Sequence, residues 1–397
     1  MAMKEVVFVS AARTPFGMLM GSLADQRSQD LAACSMKEAV KRAGIDSSVL
    51  DVVIYSEAKQ SSLPANVGRH GWLLAGLDEN VAGFTQNALC AGALQTAISG
   101  FNKITGGEYE GILVGGIETN SQAQYYIIHP RYQFGPHNSA FRDPRVDVEI
   151  NAQPVDKYGE LSAAKLADIV ASNYGLTREV LDDYTYNSHA KAVQAIADGA
   201  MKEAVVPVVK KVKKAEVTVA KDEGPQTTSL DKLLAMPAIS ECGTATKANT
   251  APLADGSASL IMMSAEKAHK EGCKPLAKMI SFGYTAGNPK LLERTTVKSI
   301  QKALNAAGVS LKDVDFIDMH EPSAAYSLAV IDKLGPDVAG KVNVDGGSLA
   351  FGHAGAATGG AMLVNMIYRL QRTGAKLGLV NVGALGGQSL SVVLQRM

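Results

Sequence analysis

Hydrophobic and polar positions follow two rhythms along this chain: short apolar runs, and longer stretches in which apolar residues recur at helical spacing. Residues 6–9 form an apolar run closed by the loop signal Ser10-Ala-Ala-Arg-Thr-Pro. Residues 30–43 carry apolar side chains at helical spacing, and Gly44 stops them as a C-cap. Residues 52–55 predict the next strand, 88–104 a buried helix of small residues, and 111–115 a further strand. This alternation predicts an α/β protein with parallel strands covered by helices.

The pattern then returns. AVKRAGIDSSVLDVVIYSE (39–57) aligns without gaps with ALNAAGVSLKDVDFIDMHE (303–321), so the spacing from Gly44 to Gly308 equals that from Glu57 to Glu321. The helix after Cys90 and the strand 111–115 likewise resemble a small-residue helix from 357 and a strand at 378–382. Two matches in the same order point to a duplicated α/β half. The expected division is 1–117, an insertion over 118–245 that completes part of the first half, and 246–397. The insertion holds an aromatic-bearing loop (120–160), helices at 161–174 and 178–198, and the basic run VVPVVKKVKKAEVTVA. In that run Lys210, Lys211, Lys213 and Lys214 read as guards of a solvated edge strand, with a polyphosphate-binding face as the alternative.

At 397 residues with 46% hydrophobic positions, the chain can bury a core for both halves. Lys+Arg and Asp+Glu are both 39, so net charge provides no pull toward nucleic acid or anionic membrane. No stretch approaches the ~20 apolar residues of a membrane span, and MAMKEVVFVSAARTPFG runs into a strand without a signal-peptide core. The four cysteines are far apart and form no CxxC pair, which argues against a zinc or disulfide framework and suits a reducing, cytoplasmic setting. No GxxxxGK[ST] loop occurs, and no convincing GxGxxG follows a strand, so phosphotransfer driven by a nucleotide is poorly supported.

Three residues stand out for chemistry. Cys90, in FTQNALCAGALQTA, sits where a strand-like stretch gives way to a helix, whose positive end favours thiolate. The usual fate of a free cysteine is to be a buried, inert small hydrophobe. His353, in NVDGGSLAFGHAGAATGGAML, lies in a glycine-dense loop entering a helix at the equivalent place in the second half, where a base could face Cys90. His320, in FIDMHEPSAAYS, follows a strand, and its repeat partner is Ser56. Strand-end loops are where ligands bind in such sheets. His70, His189 and His269 read as solvated, and His129 and His137 as surface residues of the insertion loop, with contact to substrate as the alternative. Cys242, in SECGTATKAN, is a rival nucleophile without a following helix, and Cys34 and Cys273 lack polar neighbours.

These segments together resemble the thiolase family over nearly the whole chain. VSAARTPFG resembles its first strand and loop, NALCAGALQTA the segment of the acyl-accepting cysteine, and LDDYTYNSHAKAVQAIADGAMKEAVVPV the helices of its loop domain. GTATKANTAPLADGSASL resembles the segment before the second half, HEPSAA stands at the Asn- or His-Glu-Ala-Phe motif, and GHAGAATGG at the Gly-His-Pro motif. The resemblance implies a duplicated thiolase fold, two similar βαβ halves layered α-β-α-β-α with an inserted loop domain. It implies an acyltransferase in which Cys90 takes up the acyl group of a 3-oxoacyl-CoA and His353 activates the thiol. His320 would hold a water at the thioester oxygen, and backbone at Cys90, Leu385 and Gly383 would form a second oxyanion hole. Ala251, Gly352, Arg131 and Tyr132 are the implied substrate contacts. CoA is a substrate, no metal or other cofactor is implied, and a homodimer or homotetramer is expected, as is a small zinc-ribbon or OB-type partner in some relatives.

Three departures qualify the resemblance. The family's second cysteine, in a Cys-x-Gly motif, is replaced here by Gly383, and no cysteine follows Cys273. Ala354 replaces the proline after the histidine, and Ala251 stands where many members have serine. The loop holding Tyr125, Tyr126, Tyr132, Phe134 and Phe141 among Arg131, Arg142 and Arg145 suggests an aromatic or carboxylate-bearing acyl group of the benzoylsuccinyl-CoA type; packing of the loop on its own subunit is the alternative. A condensing or acyl-transferring subunit of a complex, or a silent acyl-CoA-binding subunit, are the other readings of the missing cysteine.

Overall fold

The computed structural model describes residues 4–128, 140–240 and 243–397. The first half runs β1 (Val6–Arg13), β2 (Gly17–Met18), α1 (Ser28–Ala43), β3 (Val52–Ser56), α2 (Val67–Leu74), β4 (Ala82–Gln86), α3 (Gly92–Thr105) and β5 (Gly111–Thr119). The insertion holds α4 (Pro144–Ile150), α5 (Val155–Tyr158), α6 (Ala163–Tyr174), α7 (Arg178–Ala197), β6 (Val208–Val212), β7 (Ala215–Val219) and α8 (Leu230–Leu234). The chain then makes β8 (Ala254–Ser264), α9 (Ala265–Lys270), β9 (Ala277–Ala286), α10 (Leu292–Ala307), β10 (Phe316–Met319) and α11 (Ala324–Leu334). It ends in α12 (Ser348–Phe351), α13 (Thr358–Thr373), β11 (Leu377–Ala384) and β12 (Gln388–Arg396).

The strand order β10-β11-β12-β9-β1-β8-β5-β3-β4 makes the duplication visible, since β9, β12, β11 and β10 mirror β1, β8, β5 and β3. The halves meet where Val6–Phe8 of β1 pair with β9. Along β3 the side chains alternate: Val52 and Ile54 face one core, Val53 and Tyr55 another. The first core is the central layer, in which Leu94 and Ala97 of α3 and Leu363 and Ile367 of α13 pack between the two halves of the sheet. Helices α1 and α2 cover the outer face of the first half, α10 and α11 that of the second. This is the expected α-β-α-β-α layering.

Two expectations are corrected. The strands are not all parallel: β3 is parallel to β4 and β5, and β10 to β11, but β8 and β12 run antiparallel to their neighbours. The cause is local, because β11 turns into β12 across residues 385–387, where Gly386 and Gly387 hold φ of 79° and 80°, too short a link for a helical crossover. The lysine-rich run is a separate two-stranded hairpin, β6–β7, rather than an edge strand of the main sheet. Its Lys210 reaches back to Asp25 at 2.7 Å. The strand β8 lies past residue 245, yet it pairs with β1 and β5 of the first half.

Buried charges tie the insertion to both halves. Arg13 of β1 makes a bidentate pair with Asp222, at 2.7 and 2.8 Å, and its Nε donates to Asn365 of α13. Glu321, just after β10, accepts from Tyr184 and Ser188 of α7, from Asn343 and from the Leu349 N–H. The links through Tyr184 and Ser188 fix α7 against the second half.

Candidate active site

Cys90 follows β4 in a single 3₁₀ turn that leads into α3. Its predecessor Leu89 adopts φ 50°, a conformation uncommon outside glycine, and the Asn87 side chain holds the Leu89 N–H at 2.8 Å. This elbow turns the Cys90 sulfur toward a cavity at the seam. The second half repeats the device: His353 precedes a matching 3₁₀ turn (Gly355–Ala357) that leads into α13. Glu118, buried at the end of β5, fastens the second turn to the loop after β3 by accepting from the N–H groups of Ala356, Ala58 and Lys59. Gly355 must be glycine, since its φ is 43° and a Cβ there would strike the Glu118 carboxylate.

His353 Nε2 lies 3.1 Å from Cys90 Sγ, and its Nδ1 lies 2.8 Å from Thr358 Oγ1. The tautomer that leaves Nε2 free to accept the thiol proton carries its hydrogen on Nδ1 and donates it to Thr358. The ring of His320 stacks 4.4 Å from that of His353. His320 Nδ1 is 3.2 Å from the Gly383 carbonyl, which can only accept, so Nδ1 bears the hydrogen and Nε2 a lone pair. Nε2 is buried with no partner among the described residues and lines the cavity.

Burial decides the charge states. It pushes the Cys90 thiol up to about 11, against the opposing pull of the Lys59 ammonium and a hydrogen bond from the Leu385 backbone N–H. Burial also lowers His353 well below its usual value, with His320 and Lys59 adding to the effect. It takes His320 down to about 4, partly offset by the Gly383 carbonyl. The resting pair is therefore neutral thiol and neutral imidazole, with the Leu385 N–H and Lys59 placed to stabilise a thiolate as it forms.

The cavity brings together Cys90, His320, His353, Ala251, Gly383 and Leu385 from the sequence reading. Gly383 contributes a carbonyl and bare backbone. Gly352 lies elsewhere, packed near Ala254 and Met18. Arg131, Tyr132, Phe134, His129, His137 and Cys242 fall outside the described residues. Of the loop's other members, Tyr125, Tyr126 and Phe141 are exposed. Arg142 pairs with Asp147 at 2.5 Å, and Arg145, which lines the cavity, pairs with Asp143. His70 and His269 are exposed as expected, but His189 is buried in α7, which its polar sequence neighbours concealed.

Sequence reasoning passed over Thr358, Glu118, Lys59 and Tyr326. Thr358 opens the helix one turn after His353, a spacing that could have marked it as the partner of the ring. Lys59 follows β3 and has a side chain only 8% exposed, 4.0 Å from Glu118, in the cavity wall.

A thiol with an imidazole at hydrogen-bond distance, a backbone N–H on the sulfur and a largely apolar acyl space beside it form a cysteine-based acyl-transfer site. The chain belongs to the thiolase family: residues 6–266 match the thiolase N-terminal domain and 273–396 the thiolase C-terminal domain. It is 35% identical to an acetyl-CoA acetyltransferase of Escherichia coli over 401 residues, covering 100% of both chains. It is 33% identical to one from Syntrophomonas wolfei, covering 99% of this chain and 100% of that one. The crystal structure of a Bacillus anthracis acetyl-CoA acetyltransferase superimposes with a TM-score of 0.95 at 32% identity over the full length of both. The protein is thus an acyltransferase of the thiolase type.

Proposed function

We propose that this enzyme cleaves a 3-oxoacyl-CoA with CoA through an acyl-enzyme on Cys90, and that the acyl group is aromatic or carries a carboxylate, as in benzoylsuccinyl-CoA. The 3.1 Å contact between Cys90 Sγ and His353 Nε2 carries the reading. His353 takes the thiol proton as the sulfur adds to the 3-oxo carbon, and the bond between that carbon and the α-carbon breaks. A water donating to His320 Nε2 has its second hydrogen free for the thioester oxygen, where enolate charge develops. The Leu385 N–H serves the oxyanion at the acylated carbon. Preorganised donors of this kind contribute ~10²–10³ each. CoA then attacks the Cys90 thioester and leaves with the acyl group.

The preference for a carboxylate draws on the cations of the cavity wall, Lys59, Lys290 and the Asp143-paired Arg145, which outnumber its acid Glu149, beside apolar Leu166, Val170, Leu253 and Leu292. A homodimer is part of the same reading. The edge strand β4 and helix α2 expose Phe84, Leu73 and Leu74, which solvent alone would leave as a hazard for aggregation. The intact Cys90–His353 pair favours an active enzyme over a silent binding subunit.

Intact-protein mass spectrometry after mixing with a panel of neutral and carboxylated 3-oxoacyl-CoAs, beside Cys90→Ser, tests this function. An acyl adduct absent from the variant is expected, strongest with a carboxylated or aromatic compound. No adduct from any thioester would overturn it.

A further inference from the structure

The cleavage leaves an enolate that must be protonated, and the incoming CoA thiol must lose a proton. Gly383 offers no side chain for either task. The space where a side chain at 383 would stand is filled: a Cβ added there would lie well under 3.0 Å from the Tyr326 hydroxyl. Tyr326, on α11, lines the same cavity as Cys90, His320 and His353. We propose that the Tyr326 phenol, seated over Gly383, is the acid and base that gives a proton to the leaving enolate and regains it from CoA; this rests on the thiolytic reading of the site.

The rival groups are badly placed. His320 carries its hydrogen on Nδ1, committed to the Gly383 carbonyl, and presents only a lone pair to the cavity. His353 holds the proton taken from Cys90, which the sulfur needs back when CoA displaces it. Tyr326 meets Thr296 Oγ1 at 2.5 Å, and Thr296 in turn donates to Ser389 at 3.1 Å. At rest the phenol hydrogen therefore faces Thr296, and rotation about the C–O bond aims it at the cavity. Once the phenol is ionised, the Thr296 hydroxyl can swing back to donate to it.

The first half holds a ready comparison. There Tyr55 meets Ser35, Ser257 and Ser259 at 2.7–3.1 Å, in a cluster that mirrors Ser299, Ser389 and Ser391. Tyr55 is fully buried in that cluster and is not among the residues lining the cavity.

The steps balance. His353 accepts the Cys90 proton, sulfur bonds to the 3-oxo carbon, and the electron pair of the broken carbon–carbon bond passes to the α-carbon of the departing acyl-CoA. The Tyr326 O–H protonates that carbon and becomes phenolate. CoA–SH returns a proton to the phenolate, its sulfur displaces Cys90, and the Cys90 sulfur recovers its proton from His353. Burial raises the Tyr326 phenol above its usual value, which makes its phenolate a competent base toward a thiol of pKa ~8.5.

The test is Tyr326→Phe, assayed for thiolysis and for alkylation of Cys90 by iodoacetamide, beside Tyr55→Phe. Turnover should fall ~10²–10⁴-fold while Cys90 alkylation stays within about threefold, and Tyr55→Phe should keep its turnover. The double variant Tyr326→Ala with Gly383→Cys should recover at least about tenfold over Tyr326→Ala alone, because a thiol again occupies the vacated space. Unchanged turnover in Tyr326→Phe, a parallel loss of alkylation, or no recovery in a folded double variant would overturn the inference. If the unaltered enzyme forms no acyl adduct, the thiolytic reading itself fails first, which separates the two.

Discussion

Cys90 lies in, and His353 just before, the matching 3₁₀ turns that start the central helices of the two halves, and they touch across the seam at 3.1 Å. Neither residue is reactive by itself, because burial favours the neutral form of both. Substituting His353→Ala should therefore lower acyl transfer by ~10²–10⁴ and slow alkylation of Cys90 at neutral pH. Iodoacetamide kinetics read by peptide mass would show it. Alkylation at the rate of the unaltered enzyme would mean that the thiol is activated elsewhere.

Lys59 stands against the apolar wall of the acyl space with Glu118 as its nearest carboxylate, at 4.0 Å. Replacing it by methionine keeps the volume and removes the cation. The ratio of kcat/KM for a carboxylated 3-oxoacyl-CoA to that for acetoacetyl-CoA should drop by at least about tenfold, the worth of one charge-assisted hydrogen bond. An unchanged ratio would assign Lys59 to Glu118 alone.

Glu57, at the end of β3, is the repeat partner of Glu321, but their surroundings differ. Glu321 accepts four hydrogen bonds, whereas burial followed by the charge of Glu118 pushes Glu57 up to about 8. Glu57 is thus protonated in the folded protein at pH 7 and ionised when unfolded. Its contribution to stability is full below about 4.5 and is lost as pH rises to about 8. Glu57→Gln should gain on the unaltered protein by about 1.4 kcal/mol per pH unit across that window, as read by urea denaturation at several pH values. His320 acts in the opposite sense. Its folded value of about 4 lies below the unfolded one, so its contribution is present above about 6.5 and lost as pH falls toward 4.

Arg369 of α13 is buried between Asp318 of β10, at 2.6 Å, and Asp345, at 2.8 Å. It anchors the strand whose end presents His320. Arg369→Met should cost ~3–5 kcal/mol, since two buried carboxylates lose their partner. Chemical denaturation measures this directly, and a cost under about 1 kcal/mol would show that Arg372 compensates.

The duplicated halves, Cys90, His353 and His320 were legible because glycine-dense turns and strand ends carry local signals, and because the repeat aligned them. Strand direction was misread although Leu385-Gly386-Gly387 spelled a tight turn; the helix–strand alternation upstream carried more weight. Lys59 was hidden in the polar string Ser56–Ser62, which reads as solvated loop until Glu118 and the cavity wall enclose it. Tyr326 sits among apolar neighbours on α11, so its chemistry depends on the emptiness of residue 383, some distance along the chain. Relationships of that kind exist only after packing.

The seam location of Cys90 has a bearing on how the protein is made. The nucleophile leaves the ribosome long before its base, and a first half without the second holds a thiol with no imidazole beside it. The Cys90–His353 pair thus exists only once the turn before α13 has packed against the first half, and an incomplete chain lacks the base on which acyl transfer depends.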